Sequence, residues 1–430
     1  MIVLSLDCLS SADYHLIKSL PNFQRVFEKG SFAKEVETIY PSLTYPCHCT
    51  IVTGKYPKNH GVINNTLIQP GAVSPDWNWY RSSIKGTTLY DEAYKKNLTT
   101  AALLWPVTGK AKSIQYNLPE IFANRPWQHQ IMVSLRSGTP GYQWELNKLF
   151  GHIRNGLSQP ELDDFVLEST IHTIKTKQPN LMLVHFVDLD TMRHYHGVTS
   201  DEATAAIHRH DKRLGRILDA LEVSGRYEET TIIVLGDHAA LDENKAVNIN
   251  VVLRENDLIR VNGKGKIVDW KAYCKGCDGS AYIYLKNPDD SETKDKVNSI
   301  LKELQINPAN GIEQVFTGVE AGELGADPNC AFMLEATYGH YFIEDHMGDY
   351  IKVVTPENRA HNNKYMLACH GYSPKKPNYQ TFFLASGKGI RQNVEVPYMR
   401  LIDIGPTLAR LLGVDLGQTD GHIIEPLLLL

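Results

Sequence analysis

The sequence predicts an α/β fold: a mostly parallel sheet flanked by helices on both faces, with a smaller α+β cap inserted into it. Three observations predict it. Short apolar runs bounded by turn residues recur along the chain and are nearly continuous in apolar residues, as strands buried on both faces should be. Amphipathic stretches at helical spacing lie between them. From about residue 241 to 360 the character changes, with Gly, Asn, Lys and Asp mixed among short alternating strands.

The strand candidates are 2–6, 100–104, 181–187, 231–235 and 381–385. The helical pattern over 161–177 puts Leu162, Phe165, Val166, Ile171 and Ile174 near one face. Over 201–221 the same spacing joins Ile207, Leu214, Ile217, Leu218 and Leu221. The stretch 403–412 follows the rule and ends at Gly413, a helix-stop residue. Alternation of strand and helix implies parallel pairing. Within the changed region, 280–285 reads as a strand and 291–304 as a charged helix. The division expected is a core formed by 1–240 and 361–430, and an inserted cap formed by 241–360. The glycine-rich run at 262–266 is a polar turn without the spacing of a phosphate loop.

Composition narrows the function. A chain of 430 residues is too long for one simple core, which fits a large domain plus a smaller one. A net charge of −5 and the lack of a basic block argue against a nucleic-acid scaffold. Seven cysteines, an odd number in a long chain, favour reduced thiols over a disulfide framework. The chain opens directly on a strand pattern, with no basic segment leading into an apolar one, so no signal peptide is expected. No apolar run of about 18 residues predicts a membrane span. The expectation is a cytoplasmic enzyme; oligomeric state is not legible.

Candidate chemistry gathers at strand ends. Asp7 closes the first strand, where a carboxylate points into the crevice in which open α/β sheets bind ligands; a helix cap is the other reading. Thr44 precedes Pro46 at the start of an apolar run, so its hydroxyl would face the N–H groups of a helix N-terminus, a good place for a phosphoryl group. Asp190 and His194 are four apart after a buried strand and can share a metal, with Asp188, His185 and His196 as competitors. Asp237 and His238 adjoin after another buried strand, where unpaired burial would be costly. His370 is weak taken alone. Six N/O ligands and one hydroxyl suit a two-metal phosphoryl-transfer site, with cations about 4 Å apart and a metal-activated threonine as nucleophile.

The run from Pro41 to Asn65 resembles the signature of the nucleotide pyrophosphatase/phosphodiesterase family of the alkaline phosphatase superfamily; phosphonoacetate hydrolases share much of it. The resemblance continues at Asp190–His194, Asp237–His238, His370–Tyr372 and Asp403–Gly413. It implies an alkaline-phosphatase-like fold and two divalent metal ions, most simply Zn²⁺, with Mn²⁺ compatible with the Asp-rich ligands. By resemblance, Asp7, Thr44, Asp237 and His238 would hold one ion, and Asp190, His194 and His370 the other. Thr44 would attack phosphorus to give a phosphothreonine that water then hydrolyses. Asn65 would donate its amide to a phosphoryl oxygen. Tyr45 stands where the family has a base-stacking aromatic, and Trp77, Trp79 and Tyr80 follow nearby, so Tyr45 and Trp79 are expected to meet substrate.

The implied substrate is a small phosphate ester, nucleotide or phosphonate. Phosphonoacetate-type C–P hydrolysis is the alternative enzyme, and a non-catalytic metal-binding protein on the same fold the alternative class. Departures from the family pattern fall at Val187, Arg193 and Ala239, and bear on packing around the ligands more than on ligand identity. Cys8 and Cys369 flank proposed ligands and read as small core fillers, the other reading being an oxidisable thiol beside a metal. Cys274 and Cys277 form half of a zinc site with no second half nearby.

Overall fold

The structure, a computed structural model, describes residues 1–362 and 364–429; Asn363 and Leu430, both inside the segment 361–430 expected to complete the core, lie outside the described residues. Its largest sheet has eight strands in the order Met399–Arg400, Gly30–Glu37, Thr381–Gly387, Thr231–Leu235, Ile2–Leu6, Leu181–Phe186, Thr100–Leu103 and Tyr116–Leu118. Every pairing in it is parallel except the two made by Thr381–Gly387.

Alternation along the strands sorts their side chains to two faces. Leu4 and Leu6 pack with Phe165, Ile171, Ile217 and Leu218 of the helices Glu161–Thr176 and Asp201–Val223. Val3, Ile233 and Leu235 pack on the other face with Ile51, Ile402 and Leu408 of the helices Thr44–Thr53 and Leu401–Leu412. The strands Ile2–Leu6, Leu181–Phe186 and Thr231–Leu235 are buried at every position, which is why their apolar runs are nearly continuous. Gly30–Glu37 was not evident in the sequence because Lys34 and Glu35 interrupt it; it lies second from the sheet edge, where Lys34 is half-buried and Glu35 exposed.

The remaining sheets come from residues 241–369. One is an antiparallel four-stranded sheet ordered Ala272–Cys277, Ser280–Leu285, Phe332–Ala336 and Ile312–Thr317. Another centres on Leu241–Val247, which pairs with Gly339–Phe342, Ile351–Val353 and the short Ala368–Cys369. These share a separate apolar cluster that includes Val247, Ile283, Leu334 and Cys369. No helix among the described residues is long and apolar enough to cross a membrane.

Candidate active site

Two neighbouring parallel strands deliver the first group. Asp7 follows Ile2–Leu6, and Asp237 with His238 follows Thr231–Leu235. The register sets Ser5 beside Leu235, so the carboxylates emerge together at the C-terminal edge. Gly236 makes the turn possible: a Cβ there would lie 1.8 Å from the Leu9 carbonyl oxygen. His238 Nε2 is 3.3 Å from Asp7 Oδ1 and 3.3 Å from Asp237 Oδ2. Thr44, first residue of the buried helix Thr44–Thr53, places Oγ1 3.2 Å from the same nitrogen. Pro46 sits in that helix's first turn, where its missing N–H costs nothing.

The second group uses a helix and a returning segment. Asp190 and His194, one turn apart on Asp188–His196, are 3.3 Å apart at Oδ2 and Nε2. His370 follows Ala368–Cys369 and holds Nε2 4.0 Å from Asp190 Oδ1. Its ring stacks on His238 with centroids 3.9 Å apart, so the two groups adjoin. The Nδ1–H of His194 donates to the Ala368 carbonyl (2.7 Å) and that of His370 to the Ser42 carbonyl (3.1 Å). These bonds orient both rings and turn both Nε2 atoms to the crevice. Gly371, at φ +83°, lets the returning chain press against the insertion: a Cβ there would lie 1.8 Å from the Cys277 carbonyl oxygen.

Geometry selects among the competitors. Asp188 accepts two hydrogen bonds from Arg209 (both 2.7 Å) and one from Arg213 (2.8 Å), making it part of a buried ion network. His196 lies at the surface near Glu202. His185 stands behind the first group: its Nε2 is 3.0 Å from Asp7 Oδ2 and its Nδ1 3.2 Å from Glu120 Oε2. Glu120 also accepts from the Tyr45 hydroxyl at 3.3 Å. Sequence reasoning missed Glu120, whose only signal is a carboxylate two residues past the short strand Tyr116–Leu118.

The donors fit divalent cations. The ligand atoms of Asp7, Asp237 and His238 lie within 4.8 Å of one another, and so do those of Asp190, His194 and His370. Asp7 Oδ1, Asp190 Oδ1 and Asp237 Oδ2 are buried without a hydrogen-bond partner, a state that costs several kcal/mol unless a cation compensates it. Burial, with Asp237 and Asp190 beside it, holds Asp7 well above the usual carboxylate range. Burial raises Asp237 to about 6. Burial also lowers His238 and His370 to about 4, so both rings are neutral near pH 7 and have lone pairs to give. For His194 burial acts downward, but Asp190 outweighs it and the ring rises to about 9.

Asn65 and the aromatics differ in outcome. The Tyr45 backbone N–H donates to Asn65 Oδ1 at 2.9 Å, which commits the oxygen and leaves the amide N–H₂ to donate elsewhere. Tyr45 and Trp79, expected to meet substrate, do not present a ring face. They are 0 % and 5 % exposed and belong to one aromatic cluster. Tyr45 packs edge-on against Trp77 and Trp79 against Phe122, so these rings form the floor under the loop after Asn65. Cys274 and Cys277, three apart on one strand, fall on opposite faces and in different apolar clusters, so they do not make a half-site.

Residues 1–373 match the family model described as type I phosphodiesterase / nucleotide pyrophosphatase. A venom phosphodiesterase of Crotalus durissus collilineatus is 23% identical over 426 residues, covering 94% of this chain and 43% of that protein. Human ectonucleotide pyrophosphatase/phosphodiesterase family member 1 is 24% identical over 234 residues, covering 51% of this chain and 21% of that protein. The chain thus spans less than half the length of these curated relatives. The fold is that of murine ectonucleotide pyrophosphatase / phosphodiesterase 5, solved as an inactive variant in complex with AMP, at a TM-score of 0.67 and 17% identity, covering 100% of this chain and 99% of that one. The human counterpart gives 0.67 at 18% identity, covering 100% and 99%. With its strand-end carboxylates, paired histidines and helix-first threonine in place over the matched region, the chain belongs to the type I phosphodiesterase / nucleotide pyrophosphatase family.

Proposed function

We propose that the protein hydrolyses phosphodiester or phosphoanhydride bonds of small nucleotide substrates through a phosphothreonine on Thr44, with two divalent cations, Zn²⁺ or Mn²⁺, held by the two ligand groups. One observation carries the reading: the Thr44 hydroxyl stands at the start of a buried helix, 3.2 Å from His238 Nε2, where the two donor groups meet. The cations supply Lewis-acid polarisation of the phosphoryl group and neutralise charge that develops on it. The chain's own residues do the rest. Thr44 Oγ1 is the attacking atom, and the helix N-terminus favours the anion that forms over it. Asn65, its oxygen held by the Tyr45 N–H, turns its amide N–H₂ to a non-bridging phosphoryl oxygen. The carbonyls of Ala368 and Ser42 hold His194 and His370 in one tautomer while the leaving group departs on their side. The murine relative solved with AMP supports a nucleotide as substrate class. C–P hydrolysis is not favoured: in the insertion, Lys275 commits its ammonium to Glu344 and Thr66 rather than to a substrate carboxylate. We further assign residues 241–360 the role of a cap, resting on their separate sheets and apolar cluster.

The test is Thr44→Ala against a p-nitrophenyl phosphodiester, with phosphonoacetate in parallel. The expected outcome is diester turnover reduced on the order of 10³-fold or more, with cation content retained. Unchanged turnover would remove threonine as the nucleophile, and preferential release of phosphate from phosphonoacetate would transfer the assignment to C–P hydrolysis.

A further inference from the structure

Cys8 occupies a position that packing alone does not account for. It directly follows Asp7, is fully buried, and adopts φ +67°, a left-handed conformation that glycine takes at far lower cost. Its neighbours on one side are Ala240 and Ala368, small residues that place no demand on a side chain here. Its backbone is tied down twice. The Cys8 N–H donates to Asp237 Oδ1 at 3.1 Å, and Arg193 Nη1 donates to the Cys8 carbonyl. The same guanidinium nitrogen is 3.7 Å from Sγ, while Nη2 holds Asp13 at 2.6 Å.

The thiol is aimed between the two ligand groups. Sγ and one ligand atom each of Asp190 and His238 lie within 4.8 Å of one another. A further atom marks this midline as underpartnered: Asp190 Oδ1 has no hydrogen-bond partner. Asp190 belongs otherwise with His194 and His370, and His238 with Asp7 and Asp237. A cation held by Cys8 therefore draws one donor from each group.

We propose that Cys8, Asp190 and His238 form a third cation position, alternative to full occupancy of the other two and selective for a thiophilic ion. Sulfur sets the selectivity: a thiolate ligand favours soft ions such as Cd²⁺ or Cu⁺ over Mn²⁺ and Mg²⁺. The inference rests on the reading of the other two groups as cation sites, and it adds a consequence. An ion such as Cd²⁺ binds across the centre and blocks turnover, whereas Mn²⁺ fills the Asp and His donors and supports it.

Cadmium is the probe, because a Cd–thiolate bond absorbs in the ultraviolet independently of activity. The full chain, stripped of metal, is titrated with Cd²⁺ alongside Cys8→Ser and Cys8→Gly. Manganese uptake is measured on all three by metal analysis. Glycine suits φ +67°, so that variant keeps the local backbone even where serine does not. The expected result is an absorbance change equivalent to one thiolate per chain in the native protein, absent from both variants, with two Mn²⁺ per chain bound by all three. Absorbance that persists in the variants places the cadmium on another cysteine and overturns the proposal. So does native protein that binds Mn²⁺ but shows no cadmium band. If the band depends on Cys8 while no protein takes up Mn²⁺, the thiol position stands and the two-cation reading of the active site fails instead.

Discussion

The two ligand groups adjoin, yet they are built by different means. Asp7, Asp237 and His238 hang from the ends of two adjacent parallel strands and are at most 2 % exposed. Asp190, His194 and His370 are gathered from a helix and a segment that returns after the insertion, and the first two side chains are 16% and 15% exposed. Sheet register fixes the first group. Docking fixes the second, through the carbonyls of Ala368 and Ser42. On the proposed mechanism, a rigid, buried group suits a cation that stays with Thr44, and a more open one suits a cation that meets the leaving group and exchanges.

Substitutions in the two groups should separate these roles, and they carry the largest effects. Asp237→Asn removes one of the mutually repelling buried carboxylates of the centre. The metal-free protein should then gain roughly 1–2 kcal/mol of stability, while the stabilisation that cations give the native protein is largely lost. His194→Gln should leave the first cation bound and metal-free stability nearly unchanged. Both should reduce diester turnover on the order of 10³-fold. Thermal melts with and without Mn²⁺, paired with metal analysis, distinguish them. Equal loss of both cations in the two variants would mean the groups bind as one unit and would end the comparison.

A smaller effect is expected one layer back, and only for the first group. His185 holds Asp7 Oδ2 and leaves Oδ1 for a ligand, while Glu120 holds His185 and the Tyr45 hydroxyl. Both ring nitrogens of His185 face only oxygen acceptors: Asp7 on one side, Glu120 and the Leu104 carbonyl on the other. That setting holds the ring's pKa well above the ordinary value: burial opposes the charge, and Asp7 and Glu120 outweigh burial. His185→Ala should lower affinity at the first group by about 10–100-fold, and Glu120→Gln by less. Competition with a chelator, resolved into two binding steps, measures this. The second group has no equivalent handle, since backbone carbonyls orient its histidines.

The same contrast explains what the sequence made legible. Asp7, Asp237 and His238 follow nearly continuous apolar runs because their strands are buried on both faces, so the residues after them stand out. Five strands of the eight-stranded sheet were readable for that reason, whereas Gly30–Glu37 and the short Tyr116–Leu118 and Met399–Arg400 towards its edges were not. The second group was not resolved by spacing. Asp188 and Asp190 look alike in sequence, and only the arginines 209 and 213 on another helix show which is consumed by an ion network. The burial of Tyr45 and Trp79 was not legible because it depends on which rings close over them, here Trp77 and Phe122. Glu120 and Cys8 acquire meaning only through contacts distant in sequence.

Docking of the second group can be tested through one buried carboxyl. Glu335, on the insertion strand Phe332–Ala336, accepts from the Tyr40 hydroxyl at 2.6 Å and from the Ser373 backbone N–H at 3.1 Å. Tyr40 lies two residues before Ser42 and Ser373 three after His370, so this carboxyl joins the insertion to both segments that orient His370. Burial raises Glu335 to about 7, against the downward pull of Tyr40 and Lys376. An unfolded glutamate ionises near 4.5, so between these values the native state binds the proton and the unfolded state does not. Stability therefore falls as pH rises through that window, by up to roughly 3 kcal/mol from this group, and is flat above it. Glu335→Gln keeps the shape without the ionisation, so the difference in urea-unfolding free energy between variant and native protein should grow from pH 5 to pH 7 and then level off. If docking governs the second group, its cation affinity relative to the variant should weaken over the same interval while that of the first group stays constant. A parallel change in both groups would mean that the insertion braces the whole centre.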